Sequence, residues 1–226
     1  MTKTTYDLLE SYMLSCMKDS AHDKEHIYRV LYNALSIAET EKDVNYDVLI
    51  PACLLHDIGR KEQFADPVLD HAEIGAKKAY DFLLKNHFSE EITEKICHCI
   101  RTHRYRNNDE PESIEAKILF DADNIDAAGA VGIARTLIYK GEVSEPLYSL
   151  LPNGMVSDGK DDLSPSFFRE YKYKLENLYS HFYTKKGALI ARERQQSAVT
   201  FYNNLFHEVS TAYKSGKGTL MKHLEN

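Results

Sequence analysis

Three features of this 226-residue chain predict an all-α fold. Apolar residues recur at spacings of three and four through most of the sequence. Alternating strand-like runs flanked by turn residues are almost absent. The one long stretch rich in Gly and Pro, residues 141–166, interrupts the helical pattern late. With 43% hydrophobic residues the chain can bury a substantial core, so a single domain over residues 1–226 is the expectation.

Taken in order, Leu8, Leu9, Tyr12, Met13 and Cys16 form the first amphipathic stripe, and Ile27, Val30, Leu31, Ala34, Leu35 and Ala38 the second. In the third segment Asp47 is the expected N-cap and Pro51 belongs in or near the opening turn. Ala52, Cys53, Leu54 and Leu55 follow without a polar residue, which predicts a buried helix. Gly59 then suits a left-handed C-terminal cap, because it has no Cβ to clash at positive φ. Further helices are expected over about 71–86, 90–104 and 114–140, capped by Ser89 and Ser113. Pro146, Pro152, Gly154, Gly159 and Pro165 mark residues 141–166 as a long loop, either a lid over a site or a flexible connector. Within 167–226, Phe168, Tyr171, Leu175, Leu178 and Phe182, and then Phe201, Leu205 and Val209, lie at helical spacing and read as C-terminal packing helices.

The charge balance, 28 Lys+Arg against 35 Asp+Glu for a net −7, argues against a nucleic-acid polymer bound through broad phosphate neutralisation. A small anionic substrate needs only local cations or a metal and stays open. The mean hydropathy is −0.47, and no apolar run approaches the roughly 20 residues that span a bilayer, so no membrane partner is expected. The first residues lack the charged start, apolar middle and small-residue cleavage site of a signal peptide, which makes the cytoplasm the expected location. Cys16, Cys53, Cys97 and Cys99 are too few and too irregularly spaced for a disulfide framework. On a helix Cys97 and Cys99 point roughly 200° apart and suit packing rather than a shared metal.

The informative residues are acids and imidazoles on faces that the pattern buries, since a buried charge is costly unless paired or bound to a metal. His26 lies one turn before Val30 on the inward stripe of the second helix. His56 and Asp57 set two metal-ligand types together at the end of an apolar helix, where both can meet one ion beyond the terminus. A distant third contribution comes from Asp121, Asp123 and Asp126, set among small and apolar residues. Asp123 and Asp126 share a helix face, whereas Asp121 and Asp123 point apart, so one Asp ligates while another orients a ligand. A mixed nitrogen and oxygen donor set suits Mn²⁺, Fe, Ni²⁺, Co²⁺ or Zn²⁺ better than Mg²⁺.

These residues give the chain a resemblance to the HD-domain metal-dependent phosphohydrolase superfamily, whose pattern is His, then His-Asp, then a distant Asp, all on helices. The match is His26, His56, Asp57 and the Asp121-Ala122-Asp123 motif, flanked by Leu-Leu-His-Asp-Ile-Gly-Arg and Asp-Ala-Asp-Asn-Ile-Asp-Ala-Ala-Gly. It covers about residues 20–140 and looks most like the bacterial single-domain HD nucleotide hydrolases. The resemblance implies an HD-domain helical bundle with additional C-terminal helices. It implies His26, His56, Asp57 and Asp123 as ligands of a divalent metal, with Asp121 the competitor of Asp123. It also implies His71 and His103 as holders of a second ion or of a phosphate oxygen. Arg60, Lys61 and Arg104, with Arg101 and Arg106 nearby, are the candidate phosphate-binding cations. Asp57 and Asp126 are expected to serve catalysis, Asp126 by orienting a ligand or the water, with Glu62 or Glu73 as a general base.

The implied activity is hydrolysis of a small phosphorylated substrate, a nucleotide, with nucleoside-triphosphate pyrophosphohydrolysis the leading reaction. The competing readings are a non-catalytic metal- or nucleotide-binding sensor module and a structural metal that ties helices together.

Overall fold

A computed structural model describes residues 1–17, 24–104 and 109–224, which leaves His22 and Arg106 outside the described residues. It is all-α: among the described residues the one extended pairing is an isolated bridge between Leu150 and Val156. The chain divides into two compact units, Met1–Asp126 with Phe182–Leu189, and Ala127–His181 with Ile190–Asn226.

In the first unit the helices are α1 (Lys3–Cys16), α2 (Lys24–Ala38), α3 (Tyr46–Leu55), α4 (Arg60–Ala65), α5 (His71–Lys85), α6 (Glu90–Thr102) and α7 (Ile114–Asp126). Helix α3 forms its centre, with Val48, Leu49, Pro51, Ala52, Cys53, Leu54 and Leu55 all buried, as its unbroken apolar run requires. Around it α5 packs on α6 and α2 on α7, so the ends of α2, α3, α5, α6 and α7 can deliver side chains to one place.

Local details depart from the sequence reading. Asn45, not Asp47, caps α3: its side chain accepts from the Asp47 backbone N–H, and Asp47 falls in the first turn, where its charge suits the helix dipole. Pro51 lies inside α3 rather than in its opening turn. Gly59 is not left-handed: with φ −93° and ψ 0° it is the N-cap of α4. Glycine is needed there for closeness, because a Cβ would stand 2.3 Å from the His71 carbonyl oxygen and 2.7 Å from the Gly75 nitrogen. Ser89 and Ser113 do cap, accepting from the Ile92 and Ala116 N–H groups. The expected helix over 114–140 is two, α7 and α8 (Gly129–Glu142), parted where Ala128 turns extended.

In the second unit residues 143–166 carry no helix. Helix α9 (Phe167–Glu170) runs into a π-helical turn at Tyr171–Leu175 and a 3₁₀ turn at Leu178–Ser180. The core here joins Ile133, Phe167, Phe168, Tyr171, Leu175 and Tyr202, with the Tyr171 and Tyr202 rings stacked 4.1 Å apart. The last helix is α10 (Lys185–Leu224).

Candidate metal centre

Two clusters of donor atoms form in the first unit: His26, His56 and Asp123, and Asp57, His71 and His103, each with its ligand atoms within 4.8 Å of one another. Backbone and side-chain acceptors orient the rings. His56, at the end of α3, donates from Nδ1 to the Cys53 carbonyl at 2.8 Å, and His103, at the end of α6, donates from Nδ1 to the Ile100 carbonyl at 2.6 Å. His26 on α2 turns Nδ1 to Asp126 Oδ2 at 2.8 Å. His71, the first residue of α5, turns Nδ1 to Gln63 Oε1 at 2.6 Å, and Gln63 is itself fixed by donating to the Leu69 carbonyl at 2.9 Å. Carbonyl and carboxylate oxygens only accept, so Nδ1 of His26, His56 and His103 carries the proton, which leaves Nε2 of the neutral His56 and His103 rings with its lone pair facing inward.

The consequence is a close convergence of ring nitrogens and carboxylate oxygens. Nε2 of His26 lies 3.3 Å from Nε2 of His56, and Nε2 of His71 lies 3.2 Å from Nε2 of His103. Asp123 Oδ1 stands 3.3 Å from His26 Nε2 and 3.9 Å from His56 Nε2. Asp57 lies between the clusters. Its Oδ1 faces His71 Nε2 at 3.3 Å and His103 Nε2 at 3.7 Å, and its Oδ2 faces His26 Nε2 at 3.5 Å and His56 Nε2 at 3.8 Å. Four imidazole Nε2 atoms and two carboxylates converging in a buried space fit divalent cations held through mixed nitrogen and oxygen donors.

The electrostatics keep these groups in ligating form. Burial pushes the His103 imidazole down to about 3 and lowers His56 and His71 as well, so all three stay neutral. Burial alone would raise the Asp57 carboxyl, but the Arg60 guanidinium, whose Nε donates to Oδ1 at 2.8 Å, holds it well below the usual carboxylate range. Asp123 is likewise low, because His26, His56 and His103 beside it together outweigh burial.

Asp121, Asp123 and Asp126 separate cleanly. Asp126 is fully buried and accepts from Arg29 Nε at 2.7 Å and Nη2 at 3.1 Å as well as from His26. Asp121 joins neither cluster; its carboxylate is taken by the backbone N–H groups of Tyr183 and Thr184 and by the Thr184 hydroxyl. Glu62 also joins neither, being bound to Lys78 Nζ at 2.8 Å. Arg104 Nη1 lies 2.6 Å from His71 Nδ1, and Lys61 is exposed on α4. His71 and His103, expected to hold a second ion or a phosphate oxygen, are both fully buried. Arg29 and Gln63 were not legible as site residues; Arg29 has the weak signal of sharing a helix face with His26 at i, i+3, and Gln63 has none.

A family model described as the HD domain matches residues 24–128. The solved structure of a predicted HD superfamily hydrolase from an uncultured Thermotogales bacterium is 30% identical, covers 88% of this chain and 90% of its own, and superposes with a TM-score of 0.59. The chain belongs to the HD superfamily. This HD protein is a metal-dependent hydrolase, and its two His/Asp clusters fit a divalent metal cofactor. Bacillus subtilis (strain 168) YpgQ is 29% identical over 197 residues, 85% of this chain and 86% of YpgQ. The crystal structure of YpgQ in complex with ADP is similar at a TM-score of 0.68 and 25% identity, covering 90% of this chain and 97% of YpgQ. No helix among the described residues is long and apolar enough to cross a membrane.

Proposed function

We propose that this HD protein hydrolyses a phosphoanhydride or phosphoester of a nucleotide, with pyrophosphate release from a nucleoside triphosphate as the leading reaction. The observation that carries the reading is the Asp57 carboxylate, whose two oxygens face one cluster each. His26, His56 and Asp123 would hold one cation, His71 and His103 a second, with Asp57 shared between them. Mn²⁺, Fe, Co²⁺, Ni²⁺ or Zn²⁺ suits such donors better than Mg²⁺. When bound, such ions polarise a phosphoryl oxygen and lower the pKa of a water.

The chain's own groups do the rest. Asp126 fixes the ring plane and tautomer of His26. Arg60 spends Nε on Asp57 and keeps its terminal nitrogens for phosphate oxygens, while Arg104 and Lys61 add positive charge around the site. Glu62, held by Lys78, takes no role in this reading. The nucleotide is supported by the similarity to YpgQ, whose crystal structure contains ADP.

The test is a product-resolved assay on metal-stripped protein, with each divalent metal restored in turn and ribo- and deoxynucleoside tri-, di-, mono- and cyclic phosphates as substrates. Asp57→Asn is the control. Pyrophosphate and nucleoside monophosphate that need both metal and Asp57 are expected. Turnover that survives chelation or the Asp57 substitution refutes the mechanism. Orthophosphate from monophosphates keeps the site and changes the reaction, and tight nucleotide binding with no product under any metal establishes the sensor instead.

A further inference from the structure

The Asp121 carboxylate has no solvent exposure and, among the described residues, no cationic partner, yet three donors converge on it. The Tyr183 N–H donates to Oδ1 at 2.9 Å, and the Thr184 N–H and hydroxyl donate to Oδ2, both at 2.7 Å. The Thr184 hydroxyl oxygen accepts in turn from the Gly187 N–H at 3.0 Å, which caps the start of α10. Gly187 packs so close that a Cβ there would meet Asp121 Oδ2 at 2.6 Å and Thr184 Oγ1 at 2.8 Å. Beside this contact the Phe120 ring meets the Tyr183 ring edge to face at 5.1 Å.

Asp121 and Asp123 lie two residues apart on α7, about 200° around the helix axis, so they grip different neighbours. Asp126, nearly in line with Asp123, is held by Arg29 and His26 of α2. Helix α7 is therefore clamped on two sides, and the clamps set its rotation about its own axis. A rotation of about 20° moves a carboxylate that sits about 6 Å from the axis by about 2 Å, enough to take Asp123 out of reach of a shared ion.

We propose that Asp121, with Thr184 and Gly187, is a positioning device: it fixes the rotation of α7 so that Asp123 completes the cluster with His26 and His56. The inference rests on the reading of Asp123 as a metal ligand. Residues some sixty positions beyond the motif thereby become part of the requirements of the site.

The experiment compares Asp121→Asn, Thr184→Val and Gly187→Ala with the wild-type chain, by calorimetric Mn²⁺ titration, by the Mn²⁺ electron paramagnetic resonance spectrum and by thermal unfolding. His26→Ala identifies which Mn²⁺ site contains Asp123. That site should lose about tenfold in affinity in all three variants, the lower end of what loss of an outer-shell partner costs, while the other site keeps its affinity. Turnover at saturating Mn²⁺ should stay within severalfold of wild type. Gly187→Ala perturbs the same contact from the α10 side and keeps the test open if Asp121→Asn does not fold. Lowered thermal midpoints with unchanged Mn²⁺ affinities make the contact structural only and overturn the proposal. Variants that match a Mn²⁺-binding wild type in every readout overturn it alone, whereas a wild-type chain that takes up no Mn²⁺ overturns the metal reading and this proposal together.

Discussion

Replacing Asp126 by Asn changes almost no volume and tests how the first cluster is held. Asp126 accepts three hydrogen bonds, two from the Arg29 guanidinium and one from His26 Nδ1, with its carboxylate fully buried. An amide in its place presents one oxygen and one NH₂. With the oxygen toward Arg29 Nε, the NH₂ faces His26 Nδ1 and favours the tautomer with its proton on Nε2, the atom that belongs to the cluster. With the oxygen toward His26, the NH₂ meets the Nε–H of Arg29. Either way at least one charge-assisted bond is lost, worth about 1.5–3 kcal/mol, and less for the half-exposed Arg29 side than for His26. If that loss falls on the His26 tautomer, it corresponds to about a 10–100-fold weaker metal site, since a tenfold change is about 1.4 kcal/mol. Calorimetric titration of metal-stripped protein with Mn²⁺ measures it directly, and the metal concentration that gives half-maximal hydrolysis should shift by the same factor. Wild-type affinity in Asp126→Asn would show that Asp126 does not set the state of His26.

Two further outcomes follow from burial. In chelator, the imidazoles of His56, His71 and His103 resist protonation because burial lowers them below their ordinary 6.5, whereas the unfolded chain takes up those protons. Stability should therefore fall as pH drops from about 6.5 toward 4, by about 1.4 kcal/mol per pH unit for His103, with His56 and His71 adding to the fall in the same direction and the low Asp57 and Asp123 carboxyls adding to it only below about 3.8. Urea unfolding midpoints across that range measure it, and midpoints that stay flat below pH 6.5 contradict it. Burial also pushes the thiols of Cys97 and Cys99 up to about 11 and about 12 and raises Cys53, leaving Cys16 as the accessible thiol of the four. Iodoacetamide should add one group to the native chain and four after denaturation, as read by intact mass; fast native labelling of Cys53 would be incompatible with this packing.

What was legible in the sequence was whatever a short window expresses. The apolar run before His56 marks a buried helix end, and a His-Asp pair there is conspicuous by its cost. What was not legible depends on partners far along the chain. Between Asp121 and Asp123 the resemblance alone favoured Asp123, and what engages Asp121 instead, Tyr183 and Thr184, lies some sixty residues away. Glu62 lies close in sequence to Asp57, but Lys78, one helix later, draws it aside. Gly59 carried a sound conformational argument that tertiary packing superseded, since the close approach of α5 demands a missing side chain whatever the backbone angle. The break after Asp126 escaped because Ala127 and Ala128 are good helix formers whose preference the fold overrides.

The facing imidazoles also bear on the life of a copy that has not yet met its ions. Such a chain folds with two pairs of ring nitrogens already 3.2 and 3.3 Å apart, placed for ions that would add their binding energy to the folded form alone. Any ion that binds the folded chain and not the unfolded one shifts the balance, by about 2.7 kcal/mol at a hundred times its dissociation constant. An empty copy therefore opens more often and is cut sooner by any protease that waits for openings. On the proposed two-cation reading, the lifetime of the protein is thereby coupled to metal supply.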